Sequence, residues 1–499
     1  MRSLTRATAL PACRSLGAVL VCGFAASLAG CAHLPPPPPM TQQLPAAWHN
    51  AEHARDARPP LDLTRWWQGF GDPTLNRLVR QAAAQNLTLQ QAASRVEEVR
   101  ADQQAARSGL LPEVVAGATV QGERLFGNNS LGNVALSTGV PGVSATAQPL
   151  VIGRRSFAYY EPGLDAAWEL PLFGREAATR TLTEGAVGSA VAGEAAAKVR
   201  LVAEVARSYI GLRADQERQA LLTASLAAAR RLADLVEVRL HAELANDLEV
   251  ARARTEADRI ATRLAPLEGA IRAATQHLAM LCGEPEPDPT LSVPAPMPAP
   301  PTASLNVVPA DLLRLRPDII QAEQNVAENA GELGIAVANL YPRFTLVGSI
   351  GAVGSLSGAM TGVTGLFSGG PAVTIPLLDW GARLDQAKAR NAALAGSILR
   401  YREAVLSSIA DTEAALAQVA AARREASAAR QQVASAARAA HAARILYSRG
   451  LTPLSDRLDA ERASLDAQLE VAAAVRSEAL AAIALYKAIG GATPGDPGA

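Results

Sequence analysis

The stretch EAATRTLTEGAVGSAVAGEAAAKVRLVAEVARSYIGLRADQERQALLTASLAAARRLADLVEVRLH, from Glu176 to His241, contains 66 residues and no proline. A continuous α-helix of this length extends about 100 Å at about 1.5 Å per residue, which is more than the width of a globular core. A second proline-free stretch of the same kind runs from Ala382 to Arg449. The two stretches predict long helices in a duplicated architecture.

Each long helix is followed by a break and a returning helix, and the whole order of elements occurs twice. Three pairs of equivalent positions are each 207 residues apart: Gly174 and Gly381, Leu244 and Leu451, and Gly283 and Gly490. Such a repeat fixes the topology before any single element is assigned. The returning helix Leu244–Cys282 has 39 residues and the helix Ala310–Leu340 has 31, so we expect these two to stack end to end beside a long helix.

Breaks that contain proline or glycine divide the chain into consecutive parts. They are a signal peptide at 1–30, an extended tether at 31–71, a first repeat at 72–283, a proline-rich linker at 284–309, a second repeat at 310–490 and a disordered tail at 491–499. The first repeat holds strands at about 113–126 and 157–171 and a helical hairpin at 175–283, and the second holds strands at about 343–354 and 370–378 and a hairpin at 381–490.

The strands have one apolar and one polar face. Leu164, Ala166 and Trp168 alternate with Asp165 and Glu169, a pattern that suits a membrane barrel with a wet interior and equally a soluble hairpin. Ten of the nineteen aromatic residues fall in or beside the predicted strands, which favours the membrane, where aromatic rings lie at the headgroup level. Four strands cannot close a barrel, so several chains would have to complete it.

The N-terminal residues predict an exported lipoprotein. Arg2, Arg6 and Arg14 accompany an apolar run that is too short for a permanent membrane helix and ends in Leu28-Ala29-Gly30-Cys31. This ending resembles a bacterial lipobox, in which the chain is cut before the cysteine and the cysteine is acylated. Cys31 is therefore the predicted lipidation site and outer-membrane lipid anchor, the alternative being an ordinary signal peptide with a chance cysteine.

Removal of the signal leaves 44 basic residues against 47 acidic ones, and nothing in this balance suggests nucleic acid. Cys282 is then the one free thiol, so no internal disulfide is predicted. The six histidines form no metal-binding spacing, and no phosphate-binding loop or nucleophile motif occurs. We expect no catalysis, no cofactor and no metal site.

Two groups of motifs resemble a known family. The first is Trp66-Trp67, Asp72-Pro73, Leu75, Asn86-Leu87 and Arg95, and the second is Asp311 to Ile319, Ala322-Glu323, Gly334-Ile335-Ala336 and Tyr341-Pro342. Together with the lipobox they are similar to the TolC-like outer-membrane factors, specifically the NodT-type lipoproteins of RND efflux systems.

The resemblance implies a mainly α fold with membrane β-structure. Long coiled-coil hairpins would form a periplasmic α-barrel, and four strands per chain would contribute to a twelve-stranded outer-membrane barrel in a homotrimer. The implied function is that of a passive exit duct for drugs or other small toxic compounds, which arrive from an inner-membrane RND pump through a periplasmic adaptor. The closed state would be held at the periplasmic tip.

The resemblance also implies a gate at the hairpin turns. Tyr447, Gly450 and Asp459 match positions of the tip hairpin in related proteins, and three copies of Asp459 would form an acidic constriction. The alternative is a solvated helix carboxylate. Further candidates near the predicted tips, each of which is also consistent with an ordinary solvated charge, are Arg449, Asp247, Glu249, Arg239 and Arg444.

Two positions depart from the family's pattern. Glu243 stands where a glycine is usual, so we expect that turn to be capped differently, and Ser455 replaces a leucine at the expected narrow point, which puts a hydrophobic ring in doubt. Two other functions stay open from the residues alone: a type I protein-secretion duct of the same architecture, and a periplasmic coiled-coil adaptor lipoprotein. The adaptor would be expected to have one hairpin rather than two in register.

Overall fold

The computed structural model describes residues 44–50, 65–124, 132–134, 148–150, 156–300, 316–356 and 363–491. The predicted signal segment, Cys31 and residues 492–499 lie outside these ranges. The chain divides into two compact units, one made of residues 1–39, 100–186 and 326–397 and the other of residues 40–99, 187–325 and 398–499. The first contains the main β-sheet and the second contains the turns of both helical hairpins.

Helices make up most of the described chain, as predicted. They are α1 (Pro73–Gln85), α2 (Leu87–Ser108), α3 (Arg175–His241), α4 (Asp247–Leu281), α5 (Pro317–Ala338), α6 (Ala382–Ser448) and α7 (Leu454–Ile489). The two long helices, α3 and α6, have 67 residues each. Gly174 and Gly381, with φ of 78° and 84°, lie just before these helices in the left-handed region that glycine adopts without strain.

Four strands form one antiparallel sheet in the order β1-β4-β5-β6. They are β1 (Glu113–Arg124), β4 (Ser156–Glu169), β5 (Arg343–Ser355) and β6 (Val363–Thr374), while β2 (Gly132–Val134) and β3 (Gln148–Leu150) pair as a short separate hairpin. The fourth main strand was predicted at about 370–378 but begins seven residues earlier. Its first eight residues, VTGLFSGG, hide the alternation because glycine and serine pair through the backbone without marking a face.

The register of the sheet separates two faces. Leu164, Ile350 and Phe367 lie opposite one another in a row across β4, β5 and β6, and all three are exposed in the single chain. One residue further along β4, Asp165 lies in a row with Ser349 and Ser368. The sheet thus has an apolar face and a polar face, as the alternating sequence predicts.

The stacking of shorter helices differs from the prediction. The last turn of α4 meets the start of α2, where Asn86 Nδ2 donates to Leu281 O over 2.9 Å and Asn86 Oδ1 accepts from Leu89 N. The last turn of α7 meets the start of α5, where Arg316 Nη1 donates to Ala488 O over 2.9 Å. Each returning helix therefore abuts a helix of its own repeat, because a polar side chain at the junction caps the carbonyl of the neighbouring helix end.

A large apolar cluster of the second unit lies around Asp72. Asp72 Oδ1 accepts from Thr74 N and Leu75 N at the start of α1, and Asp72 Oδ2 accepts from Tyr209 on α3. Trp66, predicted to lie in the tether, instead belongs to a 3-10 turn at Trp66–Phe70 and stacks on Tyr486 with 5.0 Å between ring centroids. Because these aromatic side chains are buried, the end of the predicted tether packs in the core of the second unit.

No helix in the described parts of the chain combines the length and the apolar character that a membrane crossing requires.

Candidate functional site

The turns of the two helical hairpins have the same backbone conformation. Glu243 has φ of 62°, and Gly450, its counterpart in the repeat, has φ of 73°. Leu244 N donates to Arg239 O over 2.8 Å, and Leu451 N donates to Leu446 O over 2.9 Å. Each turn is therefore closed by the same backbone hydrogen bond between residues five positions apart. The expectation that Glu243 needs a different cap is wrong, because the glutamate adopts the left-handed conformation itself.

A left-handed glutamate is unfavourable relative to glycine, and the surrounding bonds compensate for it. Arg239 Nη2 donates to Leu244 O over 3.3 Å. The next helix starts with a capping box, in which Asn246 Oδ1 accepts from Glu249 N over 3.0 Å and Glu249 Oε2 accepts from Asn246 N over 3.4 Å. Glu249, a candidate gate residue from sequence, thus has a capping role in the single chain.

Tyr447 is the buried centre of the turn region. Its side chain is 8% exposed and packs in a cluster with residues of α3, α4 and α7, including Val236, Val250 and Leu458. The Tyr447 hydroxyl accepts a hydrogen bond from Arg239 Nη1 over 2.8 Å. Tyr447 therefore joins the two hairpins of one chain.

Two guanidinium groups lie against the Tyr447 ring. The Arg239 guanidinium carbon is 5.4 Å from the ring centroid, and that of Arg457 on α7 is 5.3 Å from it. Cation–π contacts of this kind favour a charged group over an aromatic face. Arg457 also donates from Nε to Glu461 Oε1 over 3.1 Å, and Arg444 Nε donates to the same oxygen over 3.4 Å. The contacts hold α3, α6 and α7 together beside the turns.

Asp459 lies on α7 and is largely exposed, with a side-chain exposure of 73%. Its Oδ1 atom is 3.7 Å from Arg462 Nη1, three residues further along the helix. Arg462 also donates from Nη2 to Glu256 Oε2 on α4 over 2.8 Å. Asp459 is thus exposed, as an acidic constriction requires, and its charge is partly offset by an arginine.

The other candidates stay apart from this cluster. Ser455 Oγ donates to the neighbouring Asp456 Oδ1 over 3.3 Å. Arg449 and Asp247 are exposed in the single chain, one beside each turn. The structure therefore brings Tyr447 together with Arg239, and leaves Ser455, Arg449 and Asp247 outside their contacts.

Sequence reasoning missed Arg457, Arg462 and Glu256. Helical spacing places Asp459 and Arg462 on one face of α7, which is a usable signal. The approach of Glu256, more than 200 positions earlier in the chain, has no local signal because it depends on how two hairpins pack.

The free thiol of Cys282 is buried in the second unit, and its Sγ lies 3.7 Å from Leu78 O. Burial raises the pKa of Cys282 to about 11, so the thiol is neutral and unreactive at ordinary pH. In the described residues, no three His, Cys, Asp or Glu side chains are arranged to hold a metal ion.

Comparison with known proteins connects this geometry to a family. A family model described as outer membrane efflux protein matches residues 78–284 and 308–491. These two segments correspond to the two halves of the internal repeat.

Individual relatives cover nearly the whole chain. Nodulation protein T of Rhizobium leguminosarum bv. trifolii is 28% identical over 486 residues, covering 94% of this chain and 96% of its own. The pyoverdine export outer membrane protein OpmQ of Pseudomonas aeruginosa is 28% identical and covers 94% of this chain and 95% of its own. Among solved structures, the outer-membrane channel OprN is 27% identical with a TM-score of 0.78, covering 93% of this chain and 100% of that chain.

Proposed function

Because this chain belongs to the outer membrane efflux protein family, we propose that three copies of it form a gated exit channel that works with a periplasmic adaptor and an inner-membrane RND pump. The role of outer-membrane exit channel follows from the family and from relatives such as OpmQ. The number of copies, the partners and the gate are the parts that need a test.

The four-stranded sheet supports the trimer. Its outer strands, β1 and β6, each have an edge with no partner within the described part of the chain. An unpaired strand edge is not tolerated in lipid, so strands of other chains must pair with it. Three chains give twelve strands, enough to enclose a lumen.

Relatives suggest small compounds as cargo. OpmQ is named for pyoverdine export and TtgF of Pseudomonas putida for toluene efflux, and these compounds have little chemistry in common. A shared passive duct accounts for that range if the inner-membrane pump selects the compound. Both names favour small molecules over the protein cargo of a type I secretion duct.

The first experiment tests the channel. The purified lipoprotein in detergent is expected to have the mass of a trimer by light scattering and to give single-channel currents in a planar bilayer. A monomer that gives no current contradicts the proposal. Deletion in the native host, followed by a susceptibility screen across drugs, solvents and metals, then identifies the cargo.

The second experiment tests Asp459 as a gate residue. Asp459→Ala removes both the width and the charge of the side chain, so we expect a higher resting conductance and greater permeability to bulky antibiotics. Asp459→Asn keeps the width, so we expect mainly a weaker preference for cations. Asp258→Asn, an exposed carboxylate on α4, is the matched control. Unchanged currents in both Asp459 variants remove this residue from the gate.

A further inference from the structure

The turn between β4 and α3 packs an aromatic ring against the neighbouring repeat. Phe173 stacks on Tyr341 with 4.8 Å between ring centroids, and its centroid lies 6.4 Å from that of Phe344 near the start of β5. Phe173 has a φ of 55°, a left-handed conformation that is unfavourable for a bulky residue unless packing compensates for it. The stacked ring therefore joins the end of β4 to the start of β5.

The internal repeat identifies the counterparts of these residues. β1 and β5 each begin directly after a proline, at Glu113 and Arg343, which are 230 positions apart. Glu113 pairs with Ala167 of β4, and Arg343 pairs with Thr374 of β6, so β6 repeats β4 at a distance of 207 positions. The long helices repeat at the same distance, so the two repeats correspond without an insertion from the strand into the helix.

Trp380 is the counterpart of Phe173 in the second repeat. It has the same left-handed conformation, with a φ of 56°, but it is 90% exposed in the single chain. The counterparts of the two rings that contact Phe173 are Leu111 and Val114, and both are 64% exposed. Trp380 does not meet them within one chain, because the strand order places β6 and β1 at opposite edges of the sheet.

We propose that Trp380 packs on Leu111 and Val114 of a second copy of this chain, and thereby sets the register at which β6 of one copy pairs with β1 of the next. This rests on the proposed function, in which copies join through these strand edges. The choice of partner residues and of register comes from the internal repeat alone.

The contact decides between registers that the two faces of the sheet cannot distinguish. A slip of one residue would join the apolar face of one copy to the polar face of the next, so the alternation of side chains already opposes it. A slip of two residues preserves both faces but moves the strands by about 7 Å. Such a slip separates Trp380 from Leu111 and Val114, so this contact opposes it.

The pairing of counterparts predicts the register itself. Ala167 lies opposite Val347 where β4 pairs with β5. Their counterparts are Thr374 on β6 and Gly117 on β1, so we expect these two to lie opposite each other where two copies meet. Thr374 lies on the polar face with Ser368, so this register joins the polar faces of the two copies.

The predicted pair suits a disulfide test. Leu170 N donates to Phe344 O, directly opposite, over 2.9 Å, so the pairs on the apolar face of β4 and β5 are hydrogen-bonded and those on the polar face are not. Side chains of non-hydrogen-bonded pairs lie closer together, as a disulfide requires. A Cβ at Gly117 would meet no atom within 4 Å, so a side chain fits there.

Thr374→Cys combined with Gly117→Cys should therefore link copies covalently when outer membranes are treated with a mild oxidant. Thr374→Cys combined with Val115→Cys or with Thr119→Cys tests a two-residue slip in either direction, and we expect about tenfold less product because these pairs are diagonal. Thr374→Cys alone is the control and should give none. A slipped pair that crosslinks as well as the predicted pair overturns the register.

Trp380→Ala tests the contact. We expect the crosslink between Thr374→Cys and Gly117→Cys to fall about tenfold, because a large apolar side chain is lost from the joint. Trp380→Phe, which restores the residue type of Phe173, should recover most of the product. Leu378→Ala removes another exposed apolar side chain of the same turn, is the matched control and should crosslink as before.

Leu111→Ala is the reciprocal change and should reduce the same crosslink. Because both substitutions remove one contact, the double variant with Trp380→Ala should lose little more than Trp380→Ala alone. Undiminished crosslinking in Trp380→Ala, additive losses in the double variant, or an equal loss in Leu378→Ala overturns the proposed contact. A monomeric wild type without current contradicts the proposed channel instead, whereas a trimer that crosslinks in a slipped register contradicts this contact alone.

Discussion

Arg213 on α3 shows how one side chain connects distant parts of the second unit. It is 3% exposed, and its Nη1 donates to Gln216 Oε1 over 2.7 Å and to Val293 O over 2.8 Å. Its Nε donates to the Tyr209 hydroxyl over 3.1 Å, and that hydroxyl donates to Asp72. The charge of Arg213 is thereby connected to a carboxylate through a tyrosine.

We predict that Arg213→Met lowers the free energy of unfolding by about 3 kcal/mol, because the buried amide of Gln216 and the partly buried carbonyl of Val293 lose their donor. Loss of helical circular dichroism during denaturation in detergent measures the change. Arg207→Met is the control: Arg207 is about half exposed and lies 3.9 Å from Glu204, so its loss should cost less than about 1 kcal/mol. Equal effects of the two substitutions would contradict a special role for Arg213.

At the scale of single residues, the sequence predicts backbone conformation better than it predicts side-chain contacts. The 207-residue register identifies Glu243 as the counterpart of Gly450, and the structure gives both a left-handed φ. The contacts of Arg213 with Val293, by contrast, cross 80 positions and have no periodicity to reveal them.

Helix packing in the first unit depends on a glycine of α5. A Cβ at Gly331 would lie 2.6 Å from Leu182 Cα on α3, closer than real contacts allow, so the two helices approach closely here because the side chain is absent. A Cβ at Gly396 on α6, by contrast, would meet no atom within 4 Å.

We predict that Gly331→Ala destabilises the protein by about 1–3 kcal/mol, because α5 must move away from α3. Gly396→Ala should be neutral or stabilising by up to about 1 kcal/mol, since alanine is the better helix former and meets nothing. Thermal denaturation of the two variants side by side measures the difference. A neutral Gly331→Ala would show that the helices separate without cost.

At the scale of elements, the absence of proline between flanking breaks made the long helices predictable to within about a residue, while β6 was misplaced because glycines conceal its alternation. The stacking of the shorter helices was wrong for another reason. Length alone matched α4 with the helix of the next repeat, whereas the capping bonds of Asn86 and Arg316 select the helix of the same repeat.

At the scale of the whole molecule, assembly in the membrane depends on which face of the sheet contacts lipid. Ile350 and Ser349 are neighbours on β5, and they lie on the apolar and the polar face respectively. If three sheets close into a membrane barrel, the apolar face contacts lipid and the polar face lines the lumen. The two residues then occupy very different solvents, although they are adjacent in the chain.

We predict that Ile350→Arg costs about 2–4 kcal/mol per chain near the bilayer midplane and prevents recovery of trimer from the outer membrane. Ser349→Arg introduces the same charged side chain and adds more volume, yet it should still assemble because this side chain lies in water. Recovery of heat-stable trimer from the outer-membrane fraction distinguishes them. Equal recovery of the two variants would contradict a lipid-facing position for the apolar face, because contact with lipid is the reason that an arginine is expected to be tolerated at Ser349 and not at Ile350.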